Sequence, residues 1–167
     1  MHAIENEVAD AREHPVDVVE RLAALNEWTF ERQVDDEIAI LLEGAATRYE
    51  VAITWIAAVE SLHFSCAFEL KVPERKRGEV GELIRLVNAQ MWLGHFDLWS
   101  QEGLVMFRHA HCLADGARAS EAQCKRLVEA AIKACETYYA SFQFVLWASR
   151  SPREALDFAM FETAGAA

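Results

Sequence analysis

Hydrophobic and polar residues change period several times along the chain, and each change marks an element. From Pro15, the residues Val16, Val19, Leu22 and Leu25 recur at helical spacing, with Val18 beside them. Proline suits the first position of that helix. The pattern then alternates: Trp28, Phe30 and Arg32 against Thr29, Glu31 and Gln33. Val34-Asp35-Asp36 predicts a turn, and residues 37–42 an apolar strand closed by Glu43-Gly44. Two further strands follow. Tyr49, Val51, Ile53 and Trp55 share one face of the first. In the second, Leu62, Phe64, Cys66, Phe68 and Leu70 share one face, and His63, Ser65, Ala67, Glu69 and Lys71 the other. Such alternation predicts an antiparallel sheet with one wetter face.

The period returns to helical near Pro73, with Val80, Leu83, Ile84, Val87 and Met91 as the apolar stripe and Gly94 as the expected C-cap. Gly78 and Gly81 weaken its first turns, which suggests close packing or a late start. Residues 95–100 and 104–111 read as a hairpin around Gln101-Glu102-Gly103. Ser120 and Gln123 have the spacing of a capping box and open a long helix to about Trp147. That helix carries two adjacent stripes. Leu127, Ala131, Ala134, Tyr138 and Val145 mark one; Val128, Ile132, Cys135, Tyr139, Phe142 and Leu146 mark the other. The second stripe predicts a further contact, as a partner or dimer interface. Ser151 is the expected N-cap of a last short helix, where Leu156, Phe158, Ala159 and Phe161 are apolar enough to dock.

The elements run helix, four strands, helix, two strands, long helix, short helix. Helices segregated from strand runs predict an α+β fold, an antiparallel sheet with helices packed on one face. The expected organisation is a flexible leader over residues 1–14, a single domain over 15–162 and a tail over 163–167.

Charge and composition narrow the function class. Of 167 residues, 53% are hydrophobic, and 27 acids against 16 bases give a net charge of −11. That balance argues against nucleic acid or an anionic membrane as partner, since both need a cationic surface. The acidity is concentrated in residues 1–72, where an acidic face would suit a basic partner segment. The longest apolar uncharged run, residues 137–149, falls short of the ~20 residues of a membrane span. Residues 1–17 are polar and acidic, without the basic start and apolar core of a signal peptide. The expectation is a cytoplasmic protein. Cys66, Cys112, Cys124 and Cys135 form no CxxC and read as free thiols.

Candidate chemistry is sparse. Nucleophile elbows, phosphate loops and dinucleotide fingerprints are absent from the sequence. His95 and Asp97 share one strand face, as do His109 and His111. With a three-residue loop, His95 pairs with His109, and the four side chains become candidates for a metal site; a shift of one residue removes the pairing. Arg75-Lys76-Arg77 is the one compact basic cluster and a candidate contact for an anion or an acidic partner.

Residues 72–147 carry a family resemblance. The helix Glu79-Val80-Gly81-Glu82-Leu83-Ile84-Arg85-Leu86-Val87-Asn88, then Leu93-Gly94-His95-Phe96-Asp97, then the hairpin Glu102-Gly103-Leu104-Val105-Met106-Phe107 and the long helix resemble the YbjN family of bacterial proteins. The strands over residues 36–70 fit it as well. The resemblance implies a fold similar to type III secretion chaperones, which are commonly dimers holding partner chains. The family also carries a label as sensory transduction regulators, which names no substrate, cofactor or catalytic residue. The expected function is therefore a non-enzymatic protein-interaction module without cofactors: a homodimeric, chaperone-like or regulatory protein that binds an unidentified partner polypeptide. The alternatives are a small-molecule binder with an apolar cavity between sheet and long helix, and a metal-dependent enzyme built on the strand histidines.

Overall fold

A computed structural model describes residues 12–165 of the chain. The expected leader lies outside the described residues except for its last three positions. The elements are α1 (Pro15–Leu25), β1 (Thr29–Val34), β2 (Glu37–Glu43), β3 (Arg48–Ile56), β4 (Ser61–Lys71), α2 (Arg77–Asn88), β5 (His95–Trp99), β6 (Leu104–Cys112), α3 (Glu121–Trp147) and α4 (Pro152–Gly165). The architecture is α+β, as the segregation of helices and strands predicts. His14 caps α1: its Nδ1 accepts from the Val16 amide at 3.2 Å, and its Nε2 lies 2.9 Å from Asp36. The capping box at Ser120 and Gln123 forms in both directions. Ser151 accepts the Glu154 amide at the start of α4, and α4 continues to Gly165, through part of the expected tail.

The six strands form one antiparallel sheet in the order β1-β2-β3-β4-β6-β5. β6 inserts between β4 and β5, so the last hairpin places its first strand at the sheet's edge. Cross-strand partners share a face. One row runs Phe30, Ile40, Val51, Cys66, Phe107, Phe96. Its last five members are buried, and Phe30 packs against the core. The neighbouring row runs Glu31, Ala39, Ala52, Ser65, Arg108, His95 and belongs to the opposite face. The alternation of β3 and β4 read from the sequence is therefore the real division between core and open face.

The helices cover the buried face. α3 lies along β4 and also touches β3 and β6, α1 covers β1 to β3, and α4 packs against α2 and α3. A ring cluster fills the space between sheet and α3. Phe68 lies 5.3 Å from Phe142 and 5.4 Å from Tyr139, and Phe96 lies 5.9 Å from Tyr138. These rings fill the layer between β4, β5 and the C-terminal half of α3.

Three details differ from the sequence reading. First, the β5–β6 loop takes four residues: Trp99 pairs with Leu104, and Phe96 with Phe107. A three-residue loop would have set Phe96 against Arg108 and Asp97 against Phe107, placing charge beside buried rings. Alternating apolar positions fix the register, and Gly103 secures it. Its N–H donates to the Trp99 carbonyl and its carbonyl accepts from the Val72 amide, both at 2.7 Å. Second, α2 ends at Asn88 with Ala89 as its cap, so Gly94 leads into β5 instead of capping the helix. Third, a β-carbon on Gly78 or Gly81 would meet nothing within 4 Å, so these glycines serve no close packing.

Candidate functional site

The register decides the fate of the strand histidines. His95 pairs with Arg108, and Asp97 with Met106, on the open face. His109 pairs with Phe64 and His111 with Leu62, on the helix-covered face. The two candidate pairs thus point to opposite sides of the sheet and do not converge. Among the described residues no cluster of three or more His, Cys, Asp or Glu side chains could hold a metal ion.

The open face carries a different polar group. Arg108 on β6 donates through Nε to His63 Nε2 at 3.2 Å and through a terminal nitrogen to Asp97 at 3.1 Å. The other Asp97 oxygen accepts the Leu98 amide at 2.9 Å. Three adjacent strands contribute one member each. Beside them lies a hollow of about 500 Å³ whose walls include Ser65, Trp99 and Met106. Sequence reasoning placed His63 on the wetter face but missed Arg108, which becomes its neighbour only because β6 inserts against β4.

In this group His63 and Asp97 hold the Arg108 guanidinium from two sides. Burial lowers the His63 pKa below its usual value, reinforced by Arg108, His95 and His109. Neutral His63 spends its lone pair on Arg108, and among the described residues neither Ser65 nor Ser100 donates to it. A charged arginine held by two neighbours can take a carboxylate or a backbone carbonyl with its remaining donors.

A pH dependence follows. The pKa values of His63 and His109 are both lowered from 6.5, chiefly by burial. The unfolded chain therefore binds protons at these sites before the folded chain does. The stability they contribute is complete above about pH 6.5 and is lost as pH falls through the lowered values. Urea unfolding at pH 7.5, 6.5 and 5.5 should give a falling midpoint over the last interval. His63→Gln, which accepts without titrating, should flatten the fall; an identical profile in this variant would remove His63 as a cause.

The candidate interface on α3 turns out to be core. Val128, Cys135 and Phe142 are fully buried, Leu146 nearly so, and Ile132 and Tyr139 pack against the same cluster. The second stripe exists because β4 and its neighbours meet one side of α3 while α1, α2 and α4 meet others. The basic cluster does not act as a unit either. Lys76 pairs with Glu79 at 3.0 Å, Arg75 is exposed, and Arg77 lies by the Gly103 turn with its Nε buried and without a hydrogen-bond partner. The acidic N-terminal half is partly neutralised from within, by Arg32 on Asp17 and Glu20 and by Arg21 on Glu13 and Glu121.

All four cysteines are free, and only Cys112 is exposed. Burial pushes the Cys124 thiol up to about 11, and contact with Cys66 together with burial raises Cys135 further. Neither is a nucleophile at neutral pH. No helix among the described residues is long and apolar enough to cross a membrane.

Comparisons with known proteins bear on family and fold. The sequence model of the YbjN family, described as "Putative bacterial sensory transduction regulator", matches residues 15–144. The structure is similar to a crystal structure of YbjN from E. coli, described as "a putative transcription regulator". The TM-score is 0.52 at 13% identity, covering 71% of this chain and 84% of that one, a likeness of fold. No curated protein matches the sequence.

Proposed function

This chain belongs to the YbjN family, and from that premise we propose that it is a non-catalytic regulatory module, chaperone-like in its mode of action, that works as a homodimer and binds a partner polypeptide in the cytoplasm. The observation that carries the reading is the open face of the sheet. Every described helix packs on the other side, and Ala39, Ala52, Ser65, Ala67 and Met106 are half-buried among the described residues. Small side chains make this surface flat enough for a second polypeptide to approach closely. At one end of it Arg108, His63 and Asp97 offer a fixed polar anchor beside the exposed ring of Trp99. The acidic surface of the N-terminal half would favour a partner with basic residues.

Light scattering and site-directed photo-crosslinking test the two parts of this proposal separately. The wild-type chain should show twice its 18.9 kDa mass at micromolar concentration; a monomer would sink the dimer. A photo-crosslinking residue at Ser65 should capture one polypeptide in the native cell, and Ala52→Arg should abolish that capture while leaving the fold intact. Capture unaffected by Ala52→Arg would place the partner elsewhere and defeat the reading of the open face.

A further inference from the structure

Past the first residue of β5, His95, β6 runs on beside β4 alone, and the ring cluster lies further along the sheet. His109 and His111 project there toward the first turns of α3. The space between them is an open cavity of about 480 Å³, lined by Leu93, His109, His111, Gln123, Arg126 and Leu127. Its chemistry is unlike the rest of this acidic chain. Two imidazoles, a guanidinium and a carboxamide face it, and no carboxylate is among its lining residues.

The titratable surroundings point the same way. Arg126 is exposed on α3. Glu121, in the same part of the helix, is bound to Arg21 at 2.5 Å and so is already neutralised. Cys124 is buried with its thiol pushed up to about 11, and stays uncharged. Burial first, then His111 beside it, oppose protonation of His109; His95 and His63 stand on the other face of the sheet, from which His95 adds a smaller field of the same sign. His111 Nε2 is buried with no hydrogen-bond partner. A buried polar atom left unpaired is costly, and the same ring lines a cavity to which no described residue brings a carboxylate.

We propose that this cavity binds an organic phosphate, a phosphomonoester whose oxygens meet His109, His111, Arg126 and Gln123 while its apolar portion lies on Leu93 and Leu127. A carboxylate has two oxygens, whereas the donors come from two elements and number four groups. A phosphomonoester supplies three acceptor oxygens and up to two negative charges. The volume falls in the range of small-molecule sites and exceeds what a bare ion fills. Binding of the dianion stabilises protonated imidazole, so it works against the lowering of the His109 pKa. This inference goes beyond the polypeptide-binding role and does not depend on it.

The test uses the full chain, with phenyl phosphate, inorganic phosphate and benzoate as probes, read by the imidazole NMR signals of His109 and His111 in 150 mM chloride at pH 6.5 and 8. Phenyl phosphate should shift both signals saturably, and more tightly at the lower pH. Inorganic phosphate and benzoate should each bind about tenfold more weakly or worse. Arg126→Gln, at an exposed position that does not threaten the fold, should weaken phenyl phosphate binding roughly tenfold, while Arg75→Gln should leave it unchanged. The absence of a saturable shift, or equal behaviour of the two variants, would overturn the site. Benzoate bound as tightly as phenyl phosphate would overturn the phosphate assignment, and inorganic phosphate bound as tightly would overturn the apolar subsite.

Discussion

Phe142→Ala is expected to lower the unfolding free energy by about 4 kcal/mol, the middle of the range for aromatic truncations in cores. The folded fraction should keep the mass of the wild type. Phe142 is fully buried, and its ring lies 5.3 Å from Phe68 and 5.6 Å from Phe96, joining α3 to both β4 and β5. Truncation removes buried apolar surface and opens a cavity that neighbouring rings, themselves fixed by the sheet, cannot fill. An interface residue behaves differently: its loss shifts association and leaves the isolated chain nearly as stable. Urea unfolding by circular dichroism and light scattering of the native sample separate the two. A variant of reduced mass and nearly unchanged monomer stability would return Phe142 to an interface. By the same argument, Phe142→Glu should fail to fold instead of dissociating, because a carboxylate at this position is buried without a partner.

That helix shows where the sequence is informative and where it stops. The apolar stripes of α3 were readable, and so was its start, because the capping box is a local device of two side chains and two amides. What the stripes touch was not readable. A helix surrounded by a sheet on one side and three helices on others has the same pattern as one that dimerises, since burial by self and burial by partner select the same residues. The strands divide in the same way. Leu62, Phe64, Cys66 and Phe68 announced a buried face by alternation alone, and the structure buries them. The β5–β6 register was hidden because Ser100 is equally acceptable at the end of a strand or inside a turn. The choice is made by the burial of Phe96 with Phe107, across strands, and by the hydrogen bonds of Gly103 to Trp99 and Val72. One residue of slip moved His109 and His111 to the face opposite His95 and Asp97. The pairing of His63 with Arg108 spans 45 positions and depends on β6 lying between β4 and β5, which no local pattern encodes.

Gly94 offers the second large effect, and a control with the opposite sign. Its φ of +71° lies in the left-handed region, and a β-carbon there would overlap the Phe107 ring and stand 3.0 Å from the Arg108 carbonyl oxygen. The left-handed conformation costs a residue with a β-carbon ~1–2 kcal/mol, and overpacking a filled site ~1–3 kcal/mol more. Gly94→Ala should therefore destabilise the protein by about 3 kcal/mol. The ring cannot yield freely, since Phe107 is buried against Phe96 at 5.9 Å. Asn88 in turn holds Phe96 through both backbone groups, at 2.9 and 2.8 Å. Strain at Gly94 is thus passed to the β5 edge and to the end of α2. Gly81 sits in α2 with open space around it. Gly81→Ala should raise stability by up to ~1 kcal/mol, because alanine restricts the unfolded chain and fits a helix. Thermal unfolding of the two variants beside the wild type should move the midpoint in opposite directions. Two shifts of the same sign would mean that backbone conformation and the Phe107 contact do not govern these positions, and that the Gly94 bend is tolerated by other means.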